Sequence, residues 1–123
     1  MLNHAEAQKR AAESLVGFPP RIVESYLAYA KSGDAASLGV VVLGVLQFYL
    51  AKKPREPLDA MPGTTRLIED LGCDSLTMMD TIFMVETLLD IKIDDTELAR
   101  MATLDELRGY VWRQVKIGAP SAA

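Results

Sequence analysis

An all-α fold is what this sequence predicts, on three observations. Apolar residues recur at steps of three and four through most of the chain, and residues that start or stop helices bound each such run. The only stretch of extended character, Ile91-Lys92-Ile93, is three residues long. With 123 residues, half of them hydrophobic, the chain is long and apolar enough for one domain, or one small domain plus an extension, around a real core.

The elements follow in order. Met1 to Arg10 has no apolar run of the kind a secretory signal carries, and His4, the one histidine, falls in an N-terminus expected to be loose. Pro19-Pro20 opens a helix at its first turn, with Ile22, Val23, Tyr26, Leu27 and Ala30 at helical spacing. Ser32-Gly33-Asp34 ends it and caps the next. That next helix, Ala35 to Ala51, carries Leu38, Val41, Val42, Val45, Leu46 and Tyr49 on one side and Val40, Leu43, Phe48 and Leu50 on the other. A helix apolar nearly all round is buried on more than one side. Pro54, Pro57 and Pro62-Gly63 mark a long loop. A turn, Arg66 to Gly72, leads into a helix from Ser75 to Leu89, where Met78, Ile82, Val85 and Leu89 make one core face. Asp94-Asp95 caps a short helix to Arg100. Thr103 caps the last, Leu104 to Val115, with Glu106 completing a capping box. The expected division is 1–33 as an N-terminal helical extension, 34–116 as the principal domain and 117–123 as a flexible tail.

Composition narrows the function. A single cysteine excludes an intramolecular disulfide framework and fits a reducing cytoplasm, the expected location. The longest apolar stretch, Leu38 to Ala51, is short of the ~20 residues a membrane-spanning helix needs, so the chain is not expected to span a membrane. Net charge is −4, unevenly spread: residues 59–123 hold six basic and twelve acidic groups, and nine carboxylates between Glu69 and Glu97 face one lysine, Lys92. Such a surface repels nucleic acid and favours basic partner proteins, although charge alone fits an ordinary solvated face as well.

The chemistry concentrates in Glu69-Asp70-Leu71-Gly72-Cys73-Asp74-Ser75-Leu76, which sets a serine at a helix start after a Gly-containing turn. A serine hydroxyl is a poor nucleophile without a base beside it, and none is apparent. An exposed serine at a helix N-terminus suits instead the acceptance of a phosphate from a separate enzyme, because free N–H groups and the helix dipole favour an anion there. Taken alone, Asp-Ser-Leu is also a common capping sequence.

From Thr65 to Val115, however, the chain resembles the acyl carrier proteins of fatty-acid and polyketide synthesis. Their attachment motif, acidic-Leu-Gly-x-Asp-Ser-Leu, is matched by Asp70, Leu71, Gly72, Asp74, Ser75 and Leu76. Asp80 and Glu86 stand where the family's recognition helix is acidic. Ile91-Lys92-Ile93-Asp94-Asp95 is similar to its Ile-x-Ile-x-Asp segment, and Met101-Ala102-Thr103-Leu104 with Tyr110 to its closing helix. The resemblance implies an acyl-carrier-like four-helix bundle with an additional N-terminal helical segment. It implies a 4'-phosphopantetheine arm, from coenzyme A, on Ser75, attached by a phosphopantetheinyl transferase that reads Asp74 and Leu76. Acyl groups would ride on the arm's thiol as thioesters, their chains lodging against Ile82, Val85, Leu89, Ile93 and Met101. Acyl-loading, condensing or acyltransferase enzymes would dock on Asp80 and Glu86, and the carrier itself would not be an enzyme. Met79 and Phe83 lie beside Asp80, off the Met78–Ile82–Val85–Leu89 stripe, and either add apolar contact for those partners or pack in the core.

Departures from the family pattern define the alternatives. Cys73 replaces the usual alanine, either as a small turn residue or as a redox-sensitive or acyl-exchanging thiol. Residues 1–33 lie outside the family domain; their amphipathic segment is expected to fold back over the helix at 35–51, within one chain or exchanged in a homodimer. The same fold kept as an unmodified interaction protein is the alternative function. A hydrolase using Ser75 or Cys73 lacks a base and an orienting group.

Overall fold

A computed structural model describes residues 3–117. It contains six α-helices and one 3-10 turn, with no strand beyond an isolated bridge among those residues. The expected tail lies outside the described residues except for Ile117, the last residue of the last helix.

Helix α1, His4–Ser14, corrects the expected loose N-terminus. Asn3 caps it, its side-chain oxygen accepting from the Glu6 N–H at 2.8 Å, and Ala7 and Ala11 face inward. Gly17, at φ 85°, turns the chain into α2, Pro20–Ser32, which starts at the expected proline and stops at Gly33 in the left-handed conformation, φ 71°. Asp34 then caps α3, Ala35–Tyr49, by accepting from the Ser37 N–H at 3.1 Å. Here α3 ends two residues short of the expected Ala51, because Leu50 is already extended.

Helix α3 occupies the centre. Its residues from Leu38 to Leu46 are buried except Val40, which is half-buried. It packs on α2 along one side and meets the later helices and the 3-10 turn, Leu58–Ala60, along the others. The all-round apolar pattern is thereby satisfied inside one chain: Leu43 and Leu50 are buried, and Phe48 stacks on Phe18 with ring centroids 3.9 Å apart. Close approach of α2 rests on Gly44, where an added Cβ would lie 2.3 Å from Ile22 Cδ1.

The loop after α3 is held by Gln47. Its amide nitrogen donates to the Pro54 and Glu56 carbonyls, and its oxygen accepts from the Leu58 N–H at 3.0 Å. Farther on, the Leu67 N–H donates to the Ala102 carbonyl at 2.8 Å and the Leu104 N–H to the Thr65 carbonyl at 3.1 Å. These two bonds fix the loop to the start of α6. Helices α4, Ser75–Leu89, α5, Asp95–Leu98, and α6, Leu104–Ile117, complete the fold. In α4 the bounds agree with the expected ones, whereas α5 stops short of Arg100 and α6 runs two residues past Val115. One hydrophobic core runs from Ala7 in α1 to Val111 in α6, so the extension and the bundle share it.

Candidate functional site

Turn chemistry builds the approach to Ser75. The Asp70 carboxylate accepts from the Arg66 backbone N–H at 2.8 Å and pairs with its guanidinium at 3.1 Å, which closes the turn. That pairing holds the Asp70 carboxyl below the usual carboxylate range. Gly72 takes φ 68°, a conformation that a side chain strains, and its N–H donates to the Ile68 carbonyl. The Cys73 N–H then donates to the Leu67 carbonyl at 2.9 Å. This turns the Cys73 side chain into the core, where burial, with the Asp74 charge adding to it, pushes the thiol's pKa up. A buried, protonated thiol is a weak nucleophile, so the geometry favours the small turn residue over a reactive cysteine.

Asp74 is the N-cap of α4. Its Oδ1 accepts from the Thr77 N–H at 2.8 Å, and the hydrogen bonds from Thr77 hold its carboxyl below the usual range. The positive end of the helix is therefore already partly matched by a carboxylate, which weakens the expectation that the helix dipole holds the added phosphate. What remains is access. Ser75, the first residue of α4, is exposed, and its hydroxyl bonds to no group among the described residues.

Beyond Ser75, the helix presents Leu76, Met79 and Phe83 to solvent at 66%, 68% and 71% exposure. Their spacing of three and four places them on one stripe. Asp80 is exposed beside them, near enough to Tyr49 of α3 to help raise that phenol's pKa, after burial. Glu86 is placed differently: half-buried, its Oε2 accepts from the Ile93 N–H at 2.9 Å. That bond holds the Ile91–Ile93 segment against α4, so one carboxylate oxygen of Glu86 is engaged within the fold. Ile82, Val85, Leu89 and Ile93 are buried and Met101 half-buried, all in or against the core. Tyr110 contributes a hydroxyl that accepts from the Asp94 N–H at 3.1 Å, fixing the entrance to α5.

Two features were not foreseen. Ile68, in the turn before the motif, is 68% exposed; its place in a hydrophobic pair, Leu67-Ile68, hid which member faced out. Arg10 of α1 donates to the Thr87 carbonyl at 2.6 Å, a contact across 77 residues that no local pattern carries. Among the described residues no group of His, Cys, Asp or Glu is arranged to hold a metal ion, and no helix is long and apolar enough to cross a membrane.

Comparison with known proteins bears on this site directly. The family model described as "Phosphopantetheine attachment site" matches residues 45–111, more than half of the chain. An acyl carrier protein of Thermotoga maritima is 32% identical over 50 residues, 41% of this chain and 62% of that protein. One of Desulforapulum autotrophicum is 36% identical over 53 residues, 43% of this chain and 68% of that protein. A third, of Campylobacter fetus, is 28% identical over 53 residues, covering 69% of its length. The chain thus spans about two thirds of the curated relatives it matches. No solved structure matches significantly. With the serine at a helix start, the Leu-Gly-x-Asp-Ser-Leu turn and this family match together, the chain belongs to the phosphopantetheine attachment site family, alongside the acyl carrier proteins.

Proposed function

We propose that this protein carries acyl groups as thioesters on a 4'-phosphopantetheine arm attached to the Ser75 hydroxyl, and hands them to partner enzymes without catalysing the chemistry itself. One observation carries the reading: Ser75 stands exposed and unbonded at the first position of α4, directly after the Asp74 cap. The residues fit the group. An unencumbered hydroxyl leaves room for a transferase to form a phosphodiester, and the arm, once attached, supplies the thiol that holds the acyl group. Asp74 and Leu76 flank that hydroxyl and are the side chains a phosphopantetheinyl transferase would meet first. Residues 34–116 make the carrier unit, with 1–33 as its cover, and the site of action is the cytoplasm.

Acyl-loading, condensing or acyltransferase enzymes would dock over Leu76, Met79, Asp80 and Phe83. Burying three such apolar side chains supplies contact energy, at about 1.5–3 kcal/mol each when complete, and Asp80 supplies charge complementarity. Acyl chains would reach the core beside Ile82, Val85, Leu89, Ile93 and Met101. Incubation with coenzyme A, magnesium and a broad-specificity transferase tests the reading by intact mass. One phosphopantetheine is expected on the parent and none on Ser75→Ala; an unmodified parent beside a modified control carrier overturns it.

A further inference from the structure

Helix α4 ends without a cation of its own. From Ser75 to Leu89 it contains no basic residue, so nothing within it offsets the negative end of its dipole. Its last-turn carbonyls would ordinarily meet water. Here the extension reaches them. Arg10 of α1 donates through Nη1 to the Thr87 carbonyl at 2.6 Å, and the Tyr26 hydroxyl of α2 donates to the Leu88 carbonyl at 2.5 Å. A further link is internal, the Asp90 N–H donating to the Glu86 carbonyl at 2.9 Å while Asp90 turns the chain at φ 55°.

The two donors act together. Tyr26 is fully buried, and burial pushes its phenol up to about 12, an effect that the nearby Arg10 charge opposes. The phenol is thus kept as a donor at any physiological pH. Arg10 is half-buried. With Phe83, Glu86, Thr87, Asp90 and Lys92 it lines a recess of about 340 Å³, so the group that holds the end of α4 lies beside the last member of the Leu76–Met79–Phe83 stripe.

We propose that Arg10 and Tyr26 are positioning residues for partner recognition: the extension clamps the C-terminal turn of α4 and so fixes how the exposed stripe is presented to the enzymes that engage it. This rests on the reading that partners engage α4 next to Ser75. A bundle lacking residues 1–33 would leave the Thr87 and Leu88 carbonyls without these donors, so the clamp belongs to this chain's extension and not to the carrier unit.

The test uses the full chain and its Arg10→Ala, Arg10→Lys and Tyr26→Phe variants. Amide hydrogen exchange across Thr87 to Asp90 reports the clamp, and transferase kinetics with coenzyme A and magnesium report recognition. Arg10→Ala and Tyr26→Phe should each speed exchange in that turn. Each should also raise KM for the carrier by roughly fivefold, the scale of one lost hydrogen bond, with kcat unchanged. Arg10→Lys, which keeps the cation and a donor, should restore most of both. Tyr26→Phe loses only an oxygen, so it decides the matter if Arg10→Ala folds poorly. Faster exchange with unchanged KM would make the contacts merely structural and overturn the proposal, as would unchanged exchange. An unmodified parent overturns the Ser75 reading instead, while the exchange measurement, made without transferase, still decides whether the clamp exists.

Discussion

The contact between α2 and α3 at Gly44 makes a prediction whose sign changes with context. Gly44 lies in ordinary helical backbone, so it is present for closeness and not for a left-handed turn. An alanine in a helix interior is favoured over glycine by about 1 kcal/mol on propensity alone. At this position, however, the new Cβ would lie 2.3 Å from Ile22 Cδ1 and 2.9 Å from Cγ1. Ile22 is buried and β-branched, so it cannot swing away freely, and overpacking of this kind costs about 1–3 kcal/mol. Gly44→Ala should therefore be destabilising by up to ~2 kcal/mol in the parent. Ile22→Ala alone should cost about 2–5 kcal/mol, because it opens a cavity in the core. In that background every clashing atom is gone, and Gly44→Ala should now stabilise by the full ~1 kcal/mol of propensity, with some filling of the void besides. Urea unfolding of the four proteins measures the cycle, and a coupling of about 1–3 kcal/mol is expected. If Gly44→Ala stabilises parent and Ile22→Ala alike, α2 does not lie on α3 at Gly44 and the extension is not its cover.

Other expectations are simpler to state. Glu86→Ala should lower stability by about 1–2 kcal/mol, because it leaves the N–H of buried Ile93 without its acceptor, whereas Asp80→Ala should leave stability unchanged. Asp80→Lys should instead slow loading by a cognate enzyme at low salt, with the difference fading as the screening length falls to about 10 Å at 0.1 M; equal rates at low salt would place the recognition face elsewhere. Joint replacement of Met79 and Phe83 by serine should weaken transfer to partners without lowering the melting temperature, since both side chains already face water. Cys73 should react slowly with a thiol reagent in the native protein and rapidly in urea. Because its folded pKa is raised, the unfolded thiol loses its proton first as pH rises past about 8.5, so stability should fall there, and Cys73→Ala should flatten that fall. A slope unchanged by the substitution would mean that the thiol is not buried as described.

How much of this could be read from the chain alone depended on whether the deciding contact was local. The bounds of α4 were legible because Asp74 is a cap and the apolar steps run unbroken to Leu89. The need for a cover on α3 was legible because an all-round apolar helix cannot face water. Helix α1 was not. Its inward residues are Ala7 and Ala11, too small to stand out as an apolar face, and the residues that anchor its exit, Leu15 and Phe18, lie outside its periodic stretch. Helices α3 and α5 each end two residues before the position their sequence predicts, since Leu50 and Ala99 leave their helices with no proline or glycine to announce it.

Charge shows the same limit, with a consequence for recognition. Nine carboxylates between Glu69 and Glu97 suggest a strongly acidic face. The fold engages several of them internally: Asp70 closes a turn on Arg66, Asp74 caps α4, Glu86 holds the Ile93 N–H, and Asp94 accepts from Thr96. Such pairings are invisible in a residue count, because an acid that caps a turn and one that steers a partner are written with the same letter. On the exposed stripe of α4 the consequence is a change of character. Leu76, Met79 and Phe83 dominate it, with Asp80 as the carboxylate directed outward beside them. Apolar burial is not screened by salt, whereas attraction to a lone carboxylate is. A partner fitted to this face, as proposed, would therefore gain its affinity chiefly from a complementary apolar groove, and its basic residues would set the direction of approach more than the strength of binding.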